Sequence, residues 1–120
     1  MLVRLGAFGP KISMDENDTG KFCSHPFVRH RVLKSNCVWT VGMEDSVLTF
    51  PAAHRFGKYV GSGLSNVQAV MTYKGFSPNG GNIAAICSED GLIFGTMDHP
   101  ERQLDNEQCV QLYRNALKAA

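Results

Sequence analysis

Asn79-Gly80-Gly81-Asn82-Ile83-Ala84-Ala85-Ile86-Cys87-Ser88-Glu89-Asp90-Gly91-Leu92-Ile93-Phe94-Gly95-Thr96-Met97-Asp98-His99-Pro100-Glu101-Arg102 is the stretch from which the rest of the chain is best read. It opens on a loop, since Ser77-Pro78-Asn79-Gly80-Gly81 is turn chemistry. Asn82–Ser88 and Leu92–Met97 read as two short apolar strands, and Glu89-Asp90-Gly91 between them reads as a hairpin turn. The second strand delivers the chain to His99-Pro100-Glu101. In an extended or turning segment, residues two apart point to the same side. A carboxylate at 101 can then accept the Nδ1 proton of His99 and leave Nε2 facing a nucleophile. Pro100 stiffens the spacing by fixing its own φ. This is the base-plus-orienter arm of a catalytic triad, whose nucleophile must come from elsewhere. On spacing alone, a solvated turn with two surface charges is the better account.

Further strands are expected upstream of this stretch. Phe27–Leu33 alternates as a half-buried strand does. Cys37–Val41 is β-branched and aromatic, and Ser46–Phe50 is a third run, ended by Pro51. Gln68–Tyr73 is a fourth, beyond a turn-rich stretch from Gly57 to Gly63. Downstream, Val110, Leu112, Tyr113, Ala116 and Leu117 recur at helical spacing within Asn106–Ala119. At the other end, Leu2–Phe8 reads as the tail of a helix stopped by Gly9-Pro10, and Asp15–Gly20 as an acidic turn.

The 120 residues suffice for one domain that buries about two thirds of its unfolded surface. A net charge of +1 supplies no field of the kind nucleic acid or an anionic membrane surface would require. No apolar run approaches the ~18 residues of a membrane span. The opening residues are too short and too soon interrupted for a signal peptide, so the cytoplasm is the expected compartment. Cys23, Cys37, Cys87 and Cys109 show no paired spacing and read as reduced thiols, mostly buried. Cys23, His25 and His30 are of ligand type, so a small metal-binding protein is one alternative, although their spacing lacks the two-plus-two pattern of structural zinc sites. Arg29-His30-Arg31 with Lys34 reads as a solvated strand face.

The stretch from Asn79 to Arg102 resembles the closing signature of the glutaminase subunit or domain of phosphoribosylformylglycinamidine synthase, a class I glutamine amidotransferase of purine biosynthesis. Members of that family end on Met-Pro-His-Pro-Glu-Arg; here Asp98 stands where they have proline and Ala85 where they have glycine. Asn17-Asp18-Thr19-Gly20-Lys21-Phe22 is similar to the family's Asn-Asp-Ser-Gly-Lys-Phe element. Trp39–Glu44 and Phe50–Tyr59 resemble its Phe-Thr-Lys-Gly-Ile and Pro-Val-Ala-His-Gly-Glu-Gly-Lys-Phe, with Arg55-Phe56 in place of Gly-Glu. Ser24-His25-Pro26-Phe27 stands where the family has an Arg-Trp pair.

The resemblance implies an α/β fold: the C-terminal part of a class I glutamine amidotransferase (flavodoxin-like) domain, strand-rich in its middle and closed by a helix. Residues 1–120 are then a single incomplete domain lacking its N-terminal half, with apolar surface left for the missing part. Self-association through an exposed sheet edge is expected on the same ground. The implied activity is glutamine hydrolysis through a cysteine thioester, with His99 as general base and Glu101 as its orienter. Ammonia passes to a synthetase partner, to which ATP and Mg belong; no cofactor is implied in this chain. His54 is carried over as a structural or site-edge histidine.

The family's thiol sits on a Gly-x-Cys-Asn-Gly-like elbow, where small neighbours and a helix N-terminus expose and activate it. That elbow is expected just before Met1. None of Cys23, Cys37, Cys87 and Cys109 has small residues on both sides, so none reads as the nucleophile. Two readings follow: a glutaminase-type chain without its thiol, or a non-catalytic interaction module that keeps the synthetase-docking surface.

Overall fold

The computed structural model describes residues 2–120. Seven strands are formed: β1 (Ser13–Asp15), β2 (Cys23–Val32), β3 (Val47–His54), β4 (Lys58–Val60), β5 (Gln68–Tyr73), β6 (Ile83–Cys87) and β7 (Phe94–Thr96), followed by the helix α1 (Glu107–Ala119). Five of them make one sheet in the order β3-β2-β5-β6-β7, and β1 pairs with β4 in a two-stranded ribbon. Every pairing is antiparallel. No helix among the described residues is long and apolar enough to cross a membrane.

The alternation seen in the sequence sets which side of each strand is buried. Along β3, Leu48, Phe50, Ala52 and His54 are buried and the residues between them are partly exposed. Along β2, Val28, His30 and Val32 are buried, while Arg29 and Arg31 face solvent as a charged strand face should. The β6–β7 hairpin closes as expected, with Gly91 at φ 81° and its N–H donating to the Ser88 carbonyl at 3.0 Å. Helix α1 starts at Asn106, whose side chain accepts the Gln108 N–H at 2.9 Å. It lays Cys109 and Leu112 onto a core shared with Val28, Leu48, Phe50 and Met71. A second, smaller cluster joins Phe8 and Ile12 to Tyr59 and Ile86.

Three expectations are corrected. Cys37–Val41 is not a strand: Val38–Thr40 is a 3₁₀ turn, with the Thr40 N–H and hydroxyl both donating to the Cys37 carbonyl. The run joins neither sheet and sits between β2 and β3 in the chain order. Its bulk serves packing instead, Trp39 lying 5.7 Å from the ring of Phe94 and 5.9 Å from that of Tyr113. Pro51 does not end its strand, which continues to His54. β3 is an edge strand and β2 bulges opposite, between His25 and Val28, so the missing N–H removes no ladder bond. The stretch 2–8 (Met1 lies outside the described residues) holds only turns. They form the closing pattern of a helix, with the Gly6 N–H donating to Val3, the Ala7 N–H to Leu2, and Gly6 at φ 78°. Those paired bonds around a left-handed glycine are the Schellman motif, so the helix-ending signal is real but falls at Gly6 rather than at Gly9-Pro10.

Candidate active site

The chain leaves β7 at Thr96, whose hydroxyl donates to the Ala84 carbonyl at 3.1 Å and accepts the Asp98 N–H at 3.2 Å. Asp98 and His99 then point opposite ways, as neighbours in an extended segment must. The Asp98 side chain is fully buried, whereas that of His99 is 27% exposed. The His99 N–H donates to the Pro51 carbonyl at 2.8 Å, pinning the segment against the outer edge of β3. Pro100–Arg102 form a single 3₁₀ turn, closed by the Arg102 N–H on the His99 carbonyl at 3.1 Å. That turn carries Glu101 back to its neighbour, with Oε1 at 2.7 Å from His99 Nδ1. The carboxylate holds the Nδ1–H tautomer and leaves the Nε2 lone pair free to take a proton. With Glu101 53% exposed, the pair orients the ring rather than stabilising the fold.

Beside the pair lies an open cavity of about 510 Å³, bordered by His99 and Glu101 and walled mainly by Leu2, Phe8, Trp39, Tyr59, Phe94 and Tyr113. None of the four cysteines lines it. Burial, with a hydrogen bond to Cys37, pushes the Cys87 thiol up to about 12. Burial, helped by the charge of Asp105, pushes Cys109 up to about 11. Cys23 is also raised, by burial first and then by Asp98. Thiols held protonated are poor nucleophiles.

Behind the pair is a cluster that the sequence did not reveal. Asp98 Oδ2 lies 2.6 Å from His30 Nε2 and accepts the Tyr73 hydroxyl at 2.8 Å, while Oδ1 lies 2.8 Å from His54 Nε2. Each imidazole also presents its Nδ1 to an oxygen: His30 to the Leu48 carbonyl at 3.3 Å, His54 to Asn17 Oδ1 at 3.2 Å. His30 is sandwiched flat on Phe50, with centroids 3.6 Å apart. Burial alone would push the Asp98 carboxyl up. The hydrogen bonds from His30 and His54, with the His30 charge, outweigh it and hold the carboxyl below its ordinary range. The available signals were a histidine at a core position of an alternating strand and an acid in place of proline at 98. Neither one named its partner.

The other candidates fall away from this centre. His25 stacks on Phe76 at 4.9 Å, and His30 is engaged by Asp98, so Cys23, His25 and His30 are not brought together as a ligand set. Among the described residues no three metal-ligating side chains converge. Asn17, of the Asn-Asp-Thr-Gly element, is buried and donates to the His54 carbonyl at 2.9 Å while accepting the Gly57 N–H at 3.2 Å. Asn79 ties the glycine loop to the same place, donating to the Gly57 carbonyl at 3.0 Å. Arg55 pairs with Glu16 at 3.0 Å, its guanidinium 5.8 Å from the ring centroid of Phe56.

The profile of a CobB/CobQ-like glutamine amidotransferase domain matches residues 2–119. The phosphoribosylformylglycinamidine synthase subunit PurQ of Dehalococcoides mccartyi is 35% identical, over 92% of this chain and 48% of its own length. That of Methanothermobacter thermautotrophicus is 35% identical, over 71% of this chain and 50% of its own. Among solved structures, a chain in the structure of PurLQS from Thermotoga maritima superposes with a TM-score of 0.82 at 29% identity, covering 98% of this chain and 56% of that one. This chain thus spans about half the length of the curated relatives it matches. The strand-rich middle and closing helix match that structure, as the resemblance led one to expect.

Proposed function

Because this chain belongs to the CobB/CobQ-like glutamine amidotransferase domains, we propose that it carries the base-and-orienter arm of a glutamine-hydrolysing site that supplies ammonia to phosphoribosylformylglycinamidine synthase in purine biosynthesis. His99 takes the proton of a cysteine nucleophile and later returns it to the leaving ammonia; Glu101 keeps the imidazole in the tautomer that allows this. The thiol comes from a Gly-x-Cys-Asn-Gly-like elbow in a segment outside this chain, which covers the apolar wall of the cavity. The partner is the synthetase, which uses ATP and Mg; the compartment is the cytoplasm.

The observation that carries this reading is the 2.7 Å pairing of His99 Nδ1 with Glu101 at the edge of an apolar cavity. Ammonia release from glutamine tests it, measured on the chain alone and on the chain joined to the upstream half of a relative with the synthetase present. The chain alone should be silent. The joined protein should be active and should lose about 10²–10⁴-fold on His99→Ala. An inactive joined protein would sink the reading.

A second reading, a non-catalytic module docking on the synthetase, is favoured by the absence of a cysteine from the cavity wall and by the exposed Phe56 beside Arg55. A pull-down with the synthetase separates the two. Under that reading, binding survives His99→Ala while the joined protein releases no ammonia.

A further inference from the structure

We propose that Asp98 is a positioning residue for the His99–Glu101 pair, and that its buried clamp on His30, His54 and Tyr73 holds the imidazole of His99 in register with Glu101. The proposal rests on the reading of His99 as the base. It adds a residue that occupies the place of the family's proline.

Asp98 is anchored to three separate elements: His30 on β2, His54 on β3 and Tyr73 on β5, at 2.6, 2.8 and 2.8 Å. A carboxylate with no solvent exposure and three donors on its two oxygens cannot move without abandoning charge-assisted bonds in a low dielectric. His99 is the next residue, and its only other backbone tether on the N–H side is the bond to Pro51 at 2.8 Å. Between these anchors the Cα of His99 has no freedom to swing. The turn that follows then returns Glu101 to Nδ1 every time rather than occasionally. Proline at this position would stiffen the backbone by fixing φ; a clamped aspartate achieves the same end from the side-chain direction. Glu101 is more than half exposed and otherwise free, so the orientation of the pair has to come from the backbone beneath it.

The reading is tested by the ring tautomer of His99 in the full 120-residue chain, followed by ring ¹⁵N shifts at alkaline pH, where the imidazole is neutral. In the wild type, Nδ1–H should dominate. Glu101→Ala gives the spectrum of an unheld ring, in which Nε2–H prevails. Asp98→Asn offers one acceptor and an amide donor to imidazoles that need two acceptors, so the clamp opens, and the ring shifts should move most of the way to those of Glu101→Ala. Tyr73→Phe removes one clamp bond while keeping the ring packed, and should move the shifts in the same direction by less. It also serves if Asp98→Asn does not fold.

Wild-type ring shifts in a folded Asp98→Asn protein, or in Tyr73→Phe if Asp98→Asn does not fold, would overturn the proposal. So would a wild type already identical to Glu101→Ala, since there would be no orientation to hold. A purely structural Asp98 would lower stability and leave the tautomer alone. Ammonia release by the joined protein is a separate readout, so failure of the glutaminase reading leaves the tautomer result standing.

Discussion

Asp98 shows how much one side chain can carry. Removing one partner from a buried ion pair leaves an uncompensated group behind, which typically costs about 3–5 kcal/mol. Asp98→Asn is expected to destabilise the chain by roughly that amount in urea unfolding. The same residue sets the acid limit. Its folded carboxyl lies below the ordinary value, so its contribution is complete above about pH 4 and lost as pH falls through the folded value. Tyr59 and Tyr73 set the alkaline limit. Burial, and then the charge of Asp98, pushes both phenols up. Their contribution is complete below about pH 10 and lost as pH rises further, because the unfolded chain ionises first. Melting temperature against pH should therefore form a plateau with two falling limbs. Asp98→Asn removes part of the acid limb and Tyr73→Phe part of the alkaline one.

At the scale of elements, local chemistry was legible wherever an element was long or its punctuation strong. The α1 helix, the β6–β7 hairpin and the alternation of β2 could be read because periodicity and turn residues agreed there. Val38–Thr40 misled because β-branched and aromatic residues signal burial as much as strand, and here Trp39 is spent on packing against Phe94 and Tyr113. The ribbon of β1 and β4 escaped notice because three-residue strands carry no period. Gly57 was visible only as turn chemistry, yet a Cβ there would lie 2.3 Å from the His54 ring. That ring is held by Asp98 and Asn17 and cannot retreat. Gly57→Ala is expected to cost about 1–3 kcal/mol, read as a lower unfolding midpoint at unchanged slope.

For the whole molecule, the pair His99–Glu101 could be found from sequence because its two members are neighbours, whereas the clamp behind it joins positions far apart and needed the fold to appear. The apolar cavity is likewise a property of the assembled surface. A dye such as ANS should bind the isolated chain there and be released when the upstream half of a relative is joined to it; unchanged fluorescence would mean that this wall is not the one covered. The long loops closed by the clamp also bear on the order in which the molecule comes together. His30 and Asp98 are 68 residues apart and His54 and Asp98 are 44 apart, while the β2–β3 and β6–β7 pairings join neighbouring strands. Contacts that close long loops lose the most chain entropy before any reward, so they form after the local ones. With Asp98 in the positioning role proposed above, the base and its orienter gain their backbone support only when these long loops close, so a partly folded chain should hold the pair loosely.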